Sequence, residues 1–252
     1  MKPVHHHGAH EMPDHLDRRA LIKAAFGAAA LGGVAMTGLF SPNVSFAASL
    51  SKAERDQMTP DQVLRMLEDG NKRFRSGTML DHDYLAQKRA SATGQYPAAA
   101  ILSCIDSRAP AEILFDTAIG DAFNARVAGN VASDDLMGSL EFACGLAGAK
   151  LIVVLGHTAC GAVKGAIDGA EYGHLTGLLD KIKPAVAATR YAGERTSKNA
   201  EFVDEVAKTN VRFVVNELRQ RSSVLAELER EGRIKIVGAA YHLKGGRVEF
   251  LS

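Results

Sequence analysis

Three side chains could hold a metal ion between them: Cys104 in Ser-Cys-Ile-Asp-Ser-Arg (103–108), and His157 and Cys160 in Gly-His-Thr-Ala-Cys-Gly (156–161). Two thiolates and one imidazole form a soft donor set with a nitrogen member, which suits Zn2+, one per chain. Zinc ribbons and fingers draw their ligands from two close pairs, and this chain has one such pair, so the fold must deliver Cys104. Three protein donors leave a fourth tetrahedral position for water or a nearby carboxylate, and an open fourth position marks a catalytic rather than a structural zinc. Two thiolate charges cancel those of the ion, so bound water is acidified less than on three histidines, toward about 7–8 where the surroundings help. Asp106 and Arg108 follow Cys104 by two and four residues. On a tight turn an Asp-x-Arg pair can form a bidentate ion pair that keeps the carboxylate ionised and aimed at the metal. Asp106 then either accepts a hydrogen bond from a metal-bound hydroxide or swings in as the fourth ligand, closing the site.

These residues need a scaffold that brings distant segments together. Ala98–Ser103, Phe123–Val127, Lys150–Leu155 and Ile234–Ala240 are short apolar runs without strict alternation, the pattern of strands buried on both faces. Helical stretches separate them at about 110–115, 134–148, 160–168, 174–188 and 200–229. Alternating strands and helices predict an α/β fold with a mostly parallel central sheet of four to five strands flanked by helices. Gly245-Gly246 signals a hairpin into Val248–Leu251, a terminal antiparallel strand. Upstream, Thr59-Pro60-Asp61-Gln62 reads as a capping box with proline at N1. Val63, Leu64, Leu67 and Phe74 form the apolar stripe of that helix, and Gly77 lies past its end. A second, polar helix is predicted over roughly 82–93. Cys104 then stands at the carboxyl end of the first strand, His157 just beyond the end of the third, and Cys160 at the start of the next helix. Open α/β sheets form their ligand sites outside the carboxyl ends of strands.

Composition excludes several function classes. The chain has 252 residues, 46% hydrophobic and 23% charged, with a net charge of +1, so no global electrostatic attraction to nucleic acid or anionic membrane exists. Three cysteines are too few for a disulfide framework. Residues 1–47 read as an export signal of the twin-arginine type: Arg18 and Arg19, an apolar small-residue run from Ala24 to Phe40, and a small-x-small site at Ser45-Phe46-Ala47. Cleavage is expected after Ala47, leaving 48–252 as the mature domain. Gly27, Gly32, Gly33 and Gly38 dilute the apolar run, which argues against a stable membrane anchor. The twin-arginine translocase is the implied export partner, and a periplasmic or otherwise exported location follows. The histidines at 5–7, 10 and 15 fall in the removed segment. Cys144 reads as core, His174 and His242 as surface or satisfied core histidines, and Lys181-Ile182-Lys183 and Arg219–Arg221 as solvated helix faces.

Cys-x-Asp-Ser-Arg followed by His-x-x-Cys-Gly resembles the β-class carbonic anhydrases. The resemblance extends to Gly94-Gln95-x-Pro97, to Phe123–Asn130 (Phe-Asn-Ala-Arg-Val-Ala-Gly-Asn) and to Ser139–Ala143, and covers roughly 58–252 as a catalytic domain. It implies reversible hydration of CO2 to bicarbonate and a proton by zinc-bound hydroxide. Cys104, His157 and Cys160 would be the ligands, with Asp106 and Arg108 as the orienting dyad. Gln95 would hydrogen-bond substrate or bicarbonate, and the Gly161 N–H would do the same. Phe123 would line the apolar pocket, reached from the neighbouring subunit of a homodimer or dimer of dimers, with N-terminal helices extending onto the partner. A subset of the family is switched by bicarbonate at a second site involving a tryptophan. This chain has no tryptophan and does have Gln95, so an open-type site is expected, and Ala162 departs from the Cys-Gly-Gly common in the family. Two other readings share the ligands: hydrolysis of a CO2 analogue (CS2 or COS), or a zinc-stabilised, non-catalytic binding protein with Asp106 closing the site.

Overall fold

In the computed structural model, residues 49–251 are described, and the expected export signal and cleavage site fall outside them. Five strands form one sheet: β1 (Ala99–Ser103), β2 (Ala122–Arg126), β3 (Leu151–His157), β4 (Lys235–Tyr241) and β5 (Val248–Leu251). Their spatial order is β2-β1-β3-β4-β5, parallel throughout except for β5, which turns back on β4 through Gly245 and Gly246, both at positive φ. The expected parallel-centred sheet with a terminal antiparallel strand is what the chain forms.

Both faces of the sheet are covered, which is why its central strands read as unbroken apolar runs. Ile152 and Val154 of β3 face Val211, Val214 and Leu218 of the long helix Ala200–Arg221. Leu151, Val153 and Leu155 face Val63 and Leu67 of the helix Pro60–Ser76. That helix begins and ends where its sequence says: Thr59 caps the Gln62 N–H, Gln62 caps back, and Gly77 closes it at φ 71°. Gly70 lets it dock, because a Cβ there would lie 1.8 Å from the Phe115 carbonyl oxygen.

Three predicted helices break inside their spans. The segment predicted over 134–148 is α-helical only for Asp134–Glu141. It then widens into one π-helical turn, Phe142–Leu146, closed by the Ala147 N–H on the Phe142 carbonyl. The segment 174–188 splits into Gly173–Asp180 and Lys183–Ala188, where Pro184 lacks the N–H a continuous helix needs. The segment 200–229 breaks at Ser222, whose hydroxyl caps a new helix, Ser223–Arg230, by accepting the Leu225 N–H. The Arg219–Arg221 cluster is more than a solvated face. Arg219 forks onto Glu229 and reaches the Ile236 carbonyl, while Arg221 bonds Asp134 and Glu217.

Candidate metal centre

β1 and β3 are hydrogen-bonded neighbours, with Ser103 opposite Leu155, so their carboxyl ends lie side by side. Cys104 is the first residue after β1, His157 the last of β3, and Cys160 the cap of the helix Gly161–Ile167. Their ligand atoms lie within 4.8 Å of one another, and all three residues are buried. The turn between His157 and Cys160 is made by Ala159 at φ 54°, held by its N–H donating to the Asp204 carboxylate at 2.8 Å. On the other side, Gly129 at φ 68° brings its N–H within 3.3 Å of the Cys104 sulfur. A Cβ there would lie 2.5 Å from Ile182.

The His157 ring is oriented by its backbone. Nδ1 donates to the Thr158 carbonyl at 2.9 Å, which leaves Nε2 as the atom with a free lone pair. Thr158 is itself fixed, its N–H on the Tyr241 carbonyl and its hydroxyl accepting the Leu243 N–H. His157 Nε2 is buried and has no hydrogen-bond partner. A buried polar atom without a partner is destabilising unless something else meets its lone pair. The two thiols beside it shift in opposite directions. Hydrogen bonding from Cys160 lowers the Cys104 pKa, helped by His157 and the N–H groups of Gly129 and Asp106, against the effect of burial. Cys160 is driven the other way, by its bond to Cys104 and by burial. Burial opposes protonation of His157, but Cys104, the Thr158 carbonyl and Asp106 together outweigh it and raise the pKa. Ligands of a tetrahedral zinc with bonds of about 2.0–2.3 Å lie roughly 3.5–3.8 Å apart, so this cluster needs only small shifts to close on the ion. The donor set and the orphaned nitrogen fit zinc.

Arg108 holds Asp106 with a two-pronged bond, Nε to Oδ1 at 2.9 Å and Nη2 to Oδ2 at 2.7 Å, and its N–H adds a third contact. That guanidinium keeps the Asp106 carboxyl well below the usual carboxylate range despite partial desolvation. Asp106 Oδ2 stands 3.9 Å from His157 Nε2, beside the cluster but outside bonding distance. Gly161 is exposed at the first residue of its helix, and a side chain there would meet nothing within 4 Å.

Two expected site residues are not brought to the ligands within one chain. Gln95 is exposed on the segment before β1 and makes no hydrogen bond among the described residues. Phe123 lies on the edge strand β2, edge-on to Phe142 at 6.1 Å, in a cavity of about 720 Å³ also lined by Asn124, Asp134, Gly138 and Leu140 and by none of the metal-binding residues. Cys144 is buried with its thiol pushed up to about 12 by burial, and His242 is bonded to Glu249, so neither joins the site. Sequence reasoning missed Arg126, Asp204 and Thr158. Arg126 carried a signal, as a cation within an otherwise uncharged run. Asp204, an acid between Val203 and Val206, carried only a faint one, and Thr158 none.

Fold and cluster together define an α/β protein that gathers two buried thiols and an imidazole at the carboxyl ends of two adjacent strands, a donor set able to hold a metal ion. The family model described as "Carbonic anhydrase" matches residues 99–248. A carbonic anhydrase of Mycolicibacterium smegmatis is 38% identical over 199 residues, spanning 77% of this chain and 94% of that protein. Among solved structures, the β-carbonic anhydrase CafA of Aspergillus fumigatus aligns with a TM-score of 0.59 at 25% identity, over 76% of this chain and 89% of that one. One of two tetrameric β-carbonic anhydrases of Sordaria macrospora aligns at 0.57 and 26%, over 64% and 83%. The chain belongs to the β-class carbonic anhydrase family.

Proposed function

We propose that this chain reversibly hydrates CO2 to bicarbonate and a proton at a zinc ion held by Cys104, His157 and Cys160. One observation carries the reading: the orphaned His157 Nε2 lies within 4.8 Å of two buried cysteine sulfurs, with Asp106 beside them on Arg108. When bound, zinc supplies Lewis acidity that makes water a nucleophile near neutral pH. The protein's own residues do the rest. Asp106, kept ionised by Arg108, accepts a hydrogen bond from the attacking water and orients it, while the released proton passes to buffer. The Gly161 N–H, at a helix start open to solvent, offers a donor to the forming bicarbonate. Gln95 and Phe123 complete the pocket in a homodimer or dimer of dimers. That assembly is supported by the uncovered edge of β2 and by the exposed Tyr84, Leu85, Ile113 and Ile119, over which N-terminal helices of a partner can extend.

The test is stopped-flow CO2 hydration by residues 48–252 across pH 6–9, with zinc measured on the same sample. Fast hydration near pH 7 with one zinc per chain is expected. Zinc without hydration would overturn the reading, and assays with CS2 and COS on that sample would then separate an analogue hydrolase from a non-catalytic zinc protein. Export by the twin-arginine translocase to the periplasm is the accompanying proposal, supported by the sequence of residues 1–47. Among the described residues, no helix is long and apolar enough to cross a membrane. Replacing Arg18 and Arg19 by lysine should retain the protein in the cytoplasm, and export unaffected by that change would refute the route.

A further inference from the structure

Arg126 is the last residue of β2 and pairs across the ladder with Ser103, the residue before the ligand Cys104. Its side chain runs past the strand end and bridges two carbonyls of the next loop. Nε donates to Cys104 O at 2.9 Å and Nη2 to Asp106 O at 2.6 Å. Both acceptors belong to residues whose side chains face the metal centre. Ile105 between them is 61% exposed, so packing contributes little to holding this stretch. What holds it is hydrogen bonding: the Arg126 fork and the Ala109 N–H on the Asp106 carbonyl. A planar guanidinium is the side chain that can span two acceptors at fixed spacing.

The stretch has two arrangements to choose between. Asp106 can stay on Arg108, or it can move in from 3.9 Å off His157 Nε2 and take the fourth metal position. The Arg108 side chain is 55% exposed, so water competes for that ion pair and it is a weak lock alone. We propose that Arg126 is a positioning residue that keeps the metal centre open: by anchoring the carbonyls on both sides of Ile105 it denies the Asp106 backbone the movement needed to bring its carboxylate onto the metal. The inference rests on the metal-centre reading and not on which substrate the centre takes.

The test uses cobalt(II) in place of zinc and reads the d–d spectrum while azide is titrated in, so it reports coordination and needs no turnover. Wild-type protein should show a tetrahedral thiolate spectrum that azide shifts. Arg126→Ala should bind azide about tenfold more weakly, because Asp106 now competes for the position. That change corresponds to a shift of about 1.4 kcal/mol between its two placements. Arg126→Lys, which keeps one donor for two acceptors, should fall between them and serves if the alanine variant fails to fold. The double variant Arg126→Ala/Asp106→Asn should recover wild-type azide affinity. Unchanged affinity in both single variants would overturn the proposal, as would a loss that persists in the double variant, which would mark a general loosening of the loop. Wild-type protein that gives no thiolate–cobalt spectrum would overturn the metal-centre reading and this inference with it. A normal cobalt spectrum without CO2 hydration would leave the inference standing and overturn only the proposed activity.

Discussion

Asp204→Ala removes the acceptor that holds the turn between His157 and Cys160, two of the proposed metal ligands. Ala159 sits at φ 54°, where a non-glycine residue is strained by roughly 1–2 kcal/mol, and its N–H to the Asp204 carboxylate at 2.8 Å offsets that strain. A hydrogen bond to a charged acceptor contributes about 1.5–3 kcal/mol, and Ala159 is half-buried, so solvent recovers part of it. The expected net loss is about 2 kcal/mol, taken from the metal-free turn, which relaxes and must be re-formed when zinc binds. At 1.4 kcal/mol per tenfold, zinc affinity should fall roughly thirtyfold. Competition against a chromophoric chelator of known affinity measures this directly. Ala159→Gly in the Asp204→Ala background removes the strain and should recover about fivefold. Asp204→Asn, which keeps a neutral acceptor, should lie between. Zinc affinity of Asp204→Ala equal to wild type would refute the reasoning, because the bond would then be irrelevant to how the ligands are preset.

Three further outcomes follow from the geometry. Arg108 holds the Asp106 carboxyl below the ordinary carboxylate range, so the stability of that pair is fully present above about pH 4 and is lost only as pH falls through the lowered folded value. A ¹³C titration of the Asp106 carboxyl should show no inflection between pH 4 and 8, and an inflection there would show the pair is not formed. Gly156→Ala should lower stability by about 1–3 kcal/mol, since its Cβ would lie 2.6 Å from Val211 Cγ2 in the layer under the long helix. Calorimetry should register this as a fall in Tm of a few degrees. In zinc-free folded protein, iodoacetamide near neutral pH should modify Cys104 well before Cys144, because hydrogen bonding lowers the first thiol and burial raises the second to about 12. Peptide mass spectrometry reads the order, and zinc should protect Cys104.

The strands were legible because both faces of the sheet are covered, so Ala99–Ser103 and Leu151–His157 announce themselves as apolar runs without alternation. The gathering of Cys104, His157 and Cys160 was legible because soft donors at the ends of such runs are rare. The start of the helix at Thr59 was legible because capping is a local interaction. What was lost depends on tertiary partners. Ser222 looks like any serine inside a helical period until the next helix turns away and needs its hydroxyl as a cap. The π-helical turn at Phe142–Leu146 carries no local pattern that separates it from the helix before it. Asp204 sits beside Glu205 in a stretch of mixed polar and apolar residues, and only the approach of the Ala159 turn gives its charge a purpose.

The placement of Cys104 and His157 on neighbouring strands gives zinc a part in checking how the chain has folded. In an unfolded chain only His157 and Cys160 are close enough to share an ion. Cys104 joins them when β1 pairs with β3 with Ser103 opposite Leu155. A slip of one residue along that ladder would carry Cys104 about 3.3 Å and turn its side chain to the opposite face of the sheet. Zinc therefore favours a single strand register over its neighbours. At a free concentration one hundred times its dissociation constant it adds about 2.7 kcal/mol to that register alone. A chain misaligned by one residue would keep much of its apolar burial and lose the ion, so metal content reports correct alignment more sharply than helix content or compactness.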